Sequence, residues 1–318
     1  MIQASAEVEV VKTAVRGIPG WESRDLAAEP AIPVLASPSW RGVDGAPWRV
    51  WDRETGSSLF VKAMHPEAAM YIDIACSMAA ATRAGELGIG PKVFAADPEN
   101  GTIIMEYLGE GWRVGGLEAF TDPGIVDNIL SARKKFQLGT PLPRTVNVFD
   151  EIQRFHADAK VAGAPLPADV DWLLDNLLVV GAALKRDRSD AVPIHGDGNI
   201  SNVMIGRDGG IRLLDWDRAT NADPLEDLGT VFVEAFAFEA EARTTFSRFI
   251  GGFDQRAFDR TRLYGIADDF RWGLIASLVA KRSSRTSHEF YKFGAWRFLR
   301  CRMAVRDSRF VERLRSVQ

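Results

Sequence analysis

Near the start of the chain, apolar residues recur at helical spacing. Val8, Val11 and Val15 fall on one face, and the pattern stops at Gly20-Trp21. Residues 1–30 therefore read as an N-terminal helical extension. The pattern then turns to β. Residues 32–36 are short and apolar, residues 48–52 alternate, and residues 58–64 form a third run. Thr55-Gly56 lies between the last two runs and predicts a hairpin turn. Pro66 suits a first helical turn, so one long helix is predicted over 67–87, ended by Gly88 and Gly90-Pro91. Strands follow at 92–95 and 102–107, joined by a turn at 98–101.

Beyond Gly109 the period becomes helical, over 123–139, 146–161 and 169–184. A short β segment at 203–205 and another at 211–214 flank Gly209-Gly210. From Leu225 onward the chain reads as helix almost throughout. These periods predict an α+β protein with two lobes. A small β-rich lobe carrying one long helix spans 31–108, and a larger, mostly helical lobe spans 109–318. A hinge is expected at 109–111.

Composition narrows the functional classes. The 318 residues are 46% hydrophobic and 26% charged, as in an ordinary globular protein. A net charge of −4 gives no reason to expect nucleic acid or an acidic membrane as partner. The arginines between Arg297 and Arg315 alternate with apolar residues, which reads as a solvated helix face. Cys76 and Cys301 form no disulfide framework, and the four scattered histidines show no zinc pattern. His156 reads as a packed, hydrogen-bonded histidine. No leader or long apolar run stands out, so a cytoplasmic location is expected.

Candidate chemistry concentrates in Ile194-His-Gly-Asp-Gly-Asn-Ile-Ser-Asn202 and Leu213-Leu-Asp-Trp-Asp217. Phosphoryl transfer needs a carboxylate near the acceptor hydroxyl, oxygen ligands for Mg²⁺ and a cation on the nucleotide phosphates. Asp197 sits in a glycine-flanked loop that allows close approach to substrate. Asn202 follows five residues later, with an amide oxygen suited to a metal. Asp215 follows an apolar strand and would emerge at its end.

The HGDGNISN segment resembles the catalytic loop of the aminoglycoside phosphotransferase and choline/ethanolamine kinase superfamily. LLDWD resembles the superfamily's metal-binding segment, and Asp223-Pro-Leu-Glu-Asp227-Leu resembles a helix start that follows it. The resemblance implies a protein-kinase-like bilobal fold and an ATP- and Mg²⁺-dependent phosphotransferase acting on a small-molecule acceptor. It makes Asp197 the catalytic base or the carboxylate that orients the hydroxyl, places His195 in the loop's structure, and gives Asn202 and Asp215 to the metal. Lys62 would meet the α/β-phosphates, and the backbone of Glu106, Tyr107 and Leu108 would meet adenine. Asp217 would add to the acidic site.

Two departures accompany the resemblance. The nucleotide loop has Gly42 and Gly45 but lacks the usual Thr-Asn pair. The lysine's usual glutamate falls on Ser77, which leaves Asp73, or Glu67, as the nearest acidic substitute. On the acceptor side, Asp227–Glu234 resembles the choline/ethanolamine kinase helix whose glutamate faces an ammonium group. Trp272 and Phe293 fall on its aromatic cage, which is incomplete because Ile275 replaces an aromatic. Ethanolamine, another amino alcohol or a small sugar fits this pattern. An aminoglycoside-type antibiotic phosphotransferase and a nucleotide-binding pseudokinase acting as a regulatory module remain the alternatives. The sequence leaves the oligomeric state open.

Overall fold

The computed structural model describes residues 2–31, 44–185, 191–284 and 289–318. The expected strand at 32–36 and Gly42 lie outside the described residues. The described residues form two compact units: one holds residues 2–31, 44–115 and 201–218, and the other holds 116–185, 191–200, 219–284 and 289–318.

The first unit opens with helix α1 (Ile2–Arg16) and strand β1 (Leu26–Pro30). Strands β2 (Gly45–Asp52) and β3 (Ser58–Met64), helix α2 (Ile74–Glu86), and strands β4 (Val93–Asp97) and β5 (Thr102–Glu106) follow. The five strands form an antiparallel sheet in the order β1-β2-β3-β5-β4. Val11 and Val15 of α1 pack on Trp48, Val50, Leu59 and Val61 of this sheet, as the alternation of β2 and β3 requires. The first 30 residues are therefore no separate extension. They contribute a helix and an edge strand to the first unit.

The long helix predicted over 67–87 is interrupted. Pro66–Met70 makes only a 3₁₀ turn, and α2 begins at Ile74. Asp73 is its N-cap, and the carboxylate accepts the Cys76 N–H at 3.0 Å. A capping aspartate has an extended backbone and so ends any helix arriving from the N-terminal side. Strand β6 (Trp112–Val114) precedes the crossing to the second unit, which follows Gly115 rather than Leu108. Strands β8 (Val203–Gly206) and β9 (Ile211–Leu213) return to complete a three-stranded sheet in the order β6-β8-β9.

The second unit contains helices α3 (Pro123–Gln137), α4 (Val148–Ala162) and α5 (Val170–Leu184), then α6 (Pro224–Ala235) and α7 (Glu239–Ile250). Helices α8 (Gln255–Arg282), α9 (Phe290–Arg306) and α10 (Ser308–Val317) end the chain. A two-stranded ribbon joins β7 (Val192–Ile194) to β10 (Thr220–Ala222). Helix α8 is the axis of this unit and packs against α4, α6, α9 and α10. Its long buried stretch carries charge as well as apolar residues. The Arg271 guanidinium is fully buried among Glu151 (2.9 Å), Asp268 (2.5 Å) and Glu226 (4.0 Å).

Burial pushes Glu226 up to about 8, although the Arg271 charge pulls the other way. An unfolded glutamate titrates near ~4.3. The stability that this group contributes is thus fully present below the unfolded value and is lost as pH rises through about 8. Urea midpoints are expected to fall across that window, and Glu226→Gln should flatten the fall. Identical slopes in both proteins would remove Glu226 as the cause.

Candidate active site

In the first unit, a cavity of about 270 Å³ opens beside β3 and α2. Lys62, on β3, donates to Asp215 Oδ1 and Asp217 Oδ2, each at 2.7 Å. Asp217 Oδ1 accepts the Ser77 hydroxyl at 2.6 Å. Neither Asp73 nor Glu67 is Lys62's salt-bridge partner; Asp73 is spent on its cap. Asn202 ends the 3₁₀ turn Ile200–Asn202, lines the same cavity, and accepts the Leu214 N–H through its carbonyl at 2.7 Å. Asp215 follows β9 at φ 60°, the one non-glycine residue in the left-handed region among the described residues. That turn aims its carboxylate at Lys62, and aspartate tolerates it better than most side chains.

Asp44 completes the cluster and was missed from sequence, where it was one acid in an atypical glycine loop. It is buried, is hydrogen-bonded by the Tyr71 hydroxyl, and brings a carboxylate oxygen within 4.8 Å of those of Asp215 and Asp217. Gly45 lines the cavity as the first residue of β2. A Cβ there would stand 2.7 Å from the Ala63 carbonyl oxygen, so strand packing also requires glycine at this position. Glu106, Tyr107 and Leu108 lie along the cavity wall, and Arg49 stacks 5.0 Å from the Tyr107 ring.

Electrostatics divide the two aspartates. Burial and the neighbouring Asp217 charge hold Asp215 well above the usual carboxylate range. Burial acts on Asp217 too, but the Lys62 ammonium and the Asp215, Lys62 and Ser77 hydrogen bonds outweigh it and lower its pKa. Lys62 stays firmly protonated because both aspartates overcome its burial.

His195 and Asp197 of the Ile194–Asn202 segment lie in the second unit. Asp197 is buried, and its carboxylate accepts the Asn199 N–H at 2.9 Å. Burial raises its pKa, with that hydrogen bond opposing. His195, also buried, accepts the Asp197 N–H through Nδ1 at 3.3 Å. Asp227 is committed to the loop. It is 1% exposed and holds the loop, accepting the Gly196 N–H at 3.0 Å and the Arg133 guanidinium at 2.6 Å. Arg133 also donates to the Asp197 carbonyl, and Arg271 donates to the Gly196 carbonyl at 2.9 Å. Sequence reasoning did not single out either arginine. At Gly198 a Cβ would overlap the Thr230 carbonyl of α6, so only glycine fits the loop against that helix.

Glu234, Trp272 and Phe293 also lie in the second unit. Trp272 meets Phe293 edge to face, centroids 6.2 Å apart. Glu234, however, is not left facing an open cage: Arg297 stands 2.5 Å and Arg300 3.3 Å away. Both arginines also reach Asp269, and the Arg297 guanidinium lies 5.0 Å from the Phe293 ring centre. These guanidiniums hold Glu234 below its ordinary value despite burial. Arg297 and Arg313 are thus buried ion-pair partners and no solvated face, which corrects the sequence reading. His156 is hydrogen-bonded to Asp171 at 2.9 Å, as expected.

Residues 24–265 match the Phosphotransferase enzyme family, APH. The chain belongs to that family. The phosphotransferase is similar in fold to a choline/ethanolamine kinase family protein from Mesorhizobium loti, with 21% identity over 97% of this chain and 98% of that one, at a TM-score of 0.79. Choline kinase LicA from Streptococcus pneumoniae matches at 17% identity over 97% and 98%, with a TM-score of 0.73. An aminoglycoside phosphotransferase in a ternary complex with ADP and hygromycin B matches at 14% identity over 97% and 98%, with a TM-score of 0.59. A search of curated proteins gave no match. Among the described residues, no helix is long and apolar enough to cross a membrane.

Proposed function

We propose that this phosphotransferase moves the γ-phosphate of ATP to a hydroxyl of a small, amine-bearing acceptor, with Mg²⁺ as the metal. The observation that carries the reading is Lys62 held between Asp215 and Asp217 in a cavity lined by Asn202 and the Glu106–Leu108 segment. The donor set fits Mg²⁺, because the carboxylates of Asp44, Asp215 and Asp217 converge and the protonated lysine already marks the spot as a cation position. Asp215 and Asn202 would hold the metal, and Asp217 and Asp44 would add charge beside it. Bound there, Mg²⁺ supplies neutralisation of phosphate charge. Lys62 would bind the α/β-phosphates, and the backbone of Glu106, Tyr107 and Leu108 would meet adenine.

Asp197 would orient the acceptor hydroxyl and take its proton as the oxygen bonds to the γ-phosphorus and ADP leaves. His195, Asp227, Arg133 and Arg271 would keep that loop in place. The acceptor's amine would lie against Trp272 and Phe293, near Glu234. Because Arg297 and Arg300 already neutralise Glu234, a compact hydrogen-bonding amine suits the site better than a permanent quaternary cation. The kinase neighbours named above support the class of acceptor.

ADP release with Mg-ATP should rise with ethanolamine-like amino alcohols, and less with choline, aminoglycosides or sugars. Preference for an aminoglycoside would transfer the reading to the antibiotic-modifying class. ATP binding without turnover on any acceptor would favour the regulatory module. The acid limb of kcat should lie above the ordinary aspartate range, because burial raises Asp197 and the base works ionised. Activity then falls as pH drops through that raised value. An acid limb at the value of a free aspartate would contradict the assignment.

A further inference from the structure

Lys62 has lost the partner that its place before a helix led us to expect, yet it is held tightly. The residue at the expected glutamate position on α2 is Ser77, whose side chain carries no charge. It is nevertheless buried, and its hydroxyl lies 2.6 Å from Asp217 Oδ1. The other oxygen of the same carboxylate accepts Lys62 at 2.7 Å. Asp217 is thus a bridge with one oxygen fixed from the helix and the other holding the lysine. All three side chains line the cavity.

We infer that Ser77 is a positioning residue for the phosphoryl transfer, fixing the Asp217 carboxylate so that Asp217 in turn orients Lys62 toward the nucleotide phosphates. The inference rests on the Mg-ATP reading above. A carboxylate pinned at one oxygen keeps a single rotamer, and the lysine it holds is pre-organised. Without the hydroxyl, Asp217 can swing about its terminal torsion and offer both oxygens to Lys62, which draws the ammonium away from the phosphates. The arrangement also moves the negative partner of Lys62 from the helix to the segment after β9. Helix α2 then contributes geometry and no charge, while Asp215 and Asp217 remain adjacent to one cation.

The test is a double-mutant cycle read by Mg-ATP affinity in calorimetry, with kcat and both KM values alongside. A lost hydrogen bond to a charged group corresponds to roughly a tenfold to hundredfold loss. Ser77→Ala should weaken Mg-ATP binding by about that factor, raise KM for ATP and leave KM for the acceptor unchanged. Ser77→Thr, which keeps the hydroxyl, should recover most of the affinity. In an Asp217→Asn background, Ser77→Ala should have little further effect, since it acts through that carboxylate. Additive losses, or an equal rise in acceptor KM, would show general loosening of the unit and overturn the inference. Thermal melts of each variant exclude misfolding as the source. Unchanged Ser77→Ala constants in an enzyme that turns over remove this inference alone. A wild-type protein that neither binds nor consumes Mg-ATP removes the kinase reading and this inference together.

Discussion

Asp197→Asn is expected to lower kcat by roughly 10²–10⁴-fold, the usual contribution of a general base. The substitution preserves shape. The amide oxygen can still accept the Asn199 N–H, and the loop keeps its clamps on the Gly196 N–H and on the Gly196 and Asp197 carbonyls. Only the capacity to take a proton goes. Mg-ATP affinity should hold, because the Lys62, Asp215 and Asp217 cluster belongs to the other unit. Coupled ADP release gives the first quantity and calorimetry the second. Turnover near wild type would take Asp197 out of the reaction, and a parallel loss of nucleotide affinity would mark damage to the fold.

The largest stability loss is expected from Arg271→Met, about 3–5 kcal/mol in urea unfolding. The substitution keeps much of the side chain's length and apolar bulk while removing the charge. It strands the buried Asp268 carboxylate, leaves Glu151 to Arg144 on its other oxygen, and leaves the Gly196 carbonyl without that donor. Glu226 would lose the nearby positive charge and shift further toward its neutral form. An exposed pair offers the contrast. Arg207 and Glu110 are both largely solvated, 3.5 Å apart, and Arg207→Met should cost about 0–1 kcal/mol. A small effect at Arg271 would mean that the cluster relaxes or admits water.

The chemistry-bearing motifs were legible where their members are close in sequence. Asp197, Asn202, Asp215 and Asp217 lie within a short stretch, and a glycine-flanked loop followed by an apolar strand announces them. Helical and β periods likewise marked most elements. What escaped were pairings between distant segments. Nothing local shows that Ser77 meets Asp217, or that Asp44 joins the same carboxylates. The Ala- and Met-rich stretch around Asp73 has strong helical character, so its cap was hidden inside an apparently continuous helix. Arg297 and Arg313 follow a surface-like period, yet their acidic partners on α6, α7 and α8 draw them inside. Asp227 looked like an acceptor ligand because its backbone partner, Gly196, lies on a different element.

Lys62 between two aspartates has a further consequence for the life of the chain. The acidic cavity carries its own counter-ion, so, on the Mg-ATP reading proposed above, folding does not wait for the metal, unlike in small metal-dependent domains that collapse only around an ion. A chain emerging from synthesis in a magnesium-poor compartment can still reach its native state and wait there. Chelation should therefore silence the protein without unfolding it, and adding the metal back should restore turnover with no refolding lag.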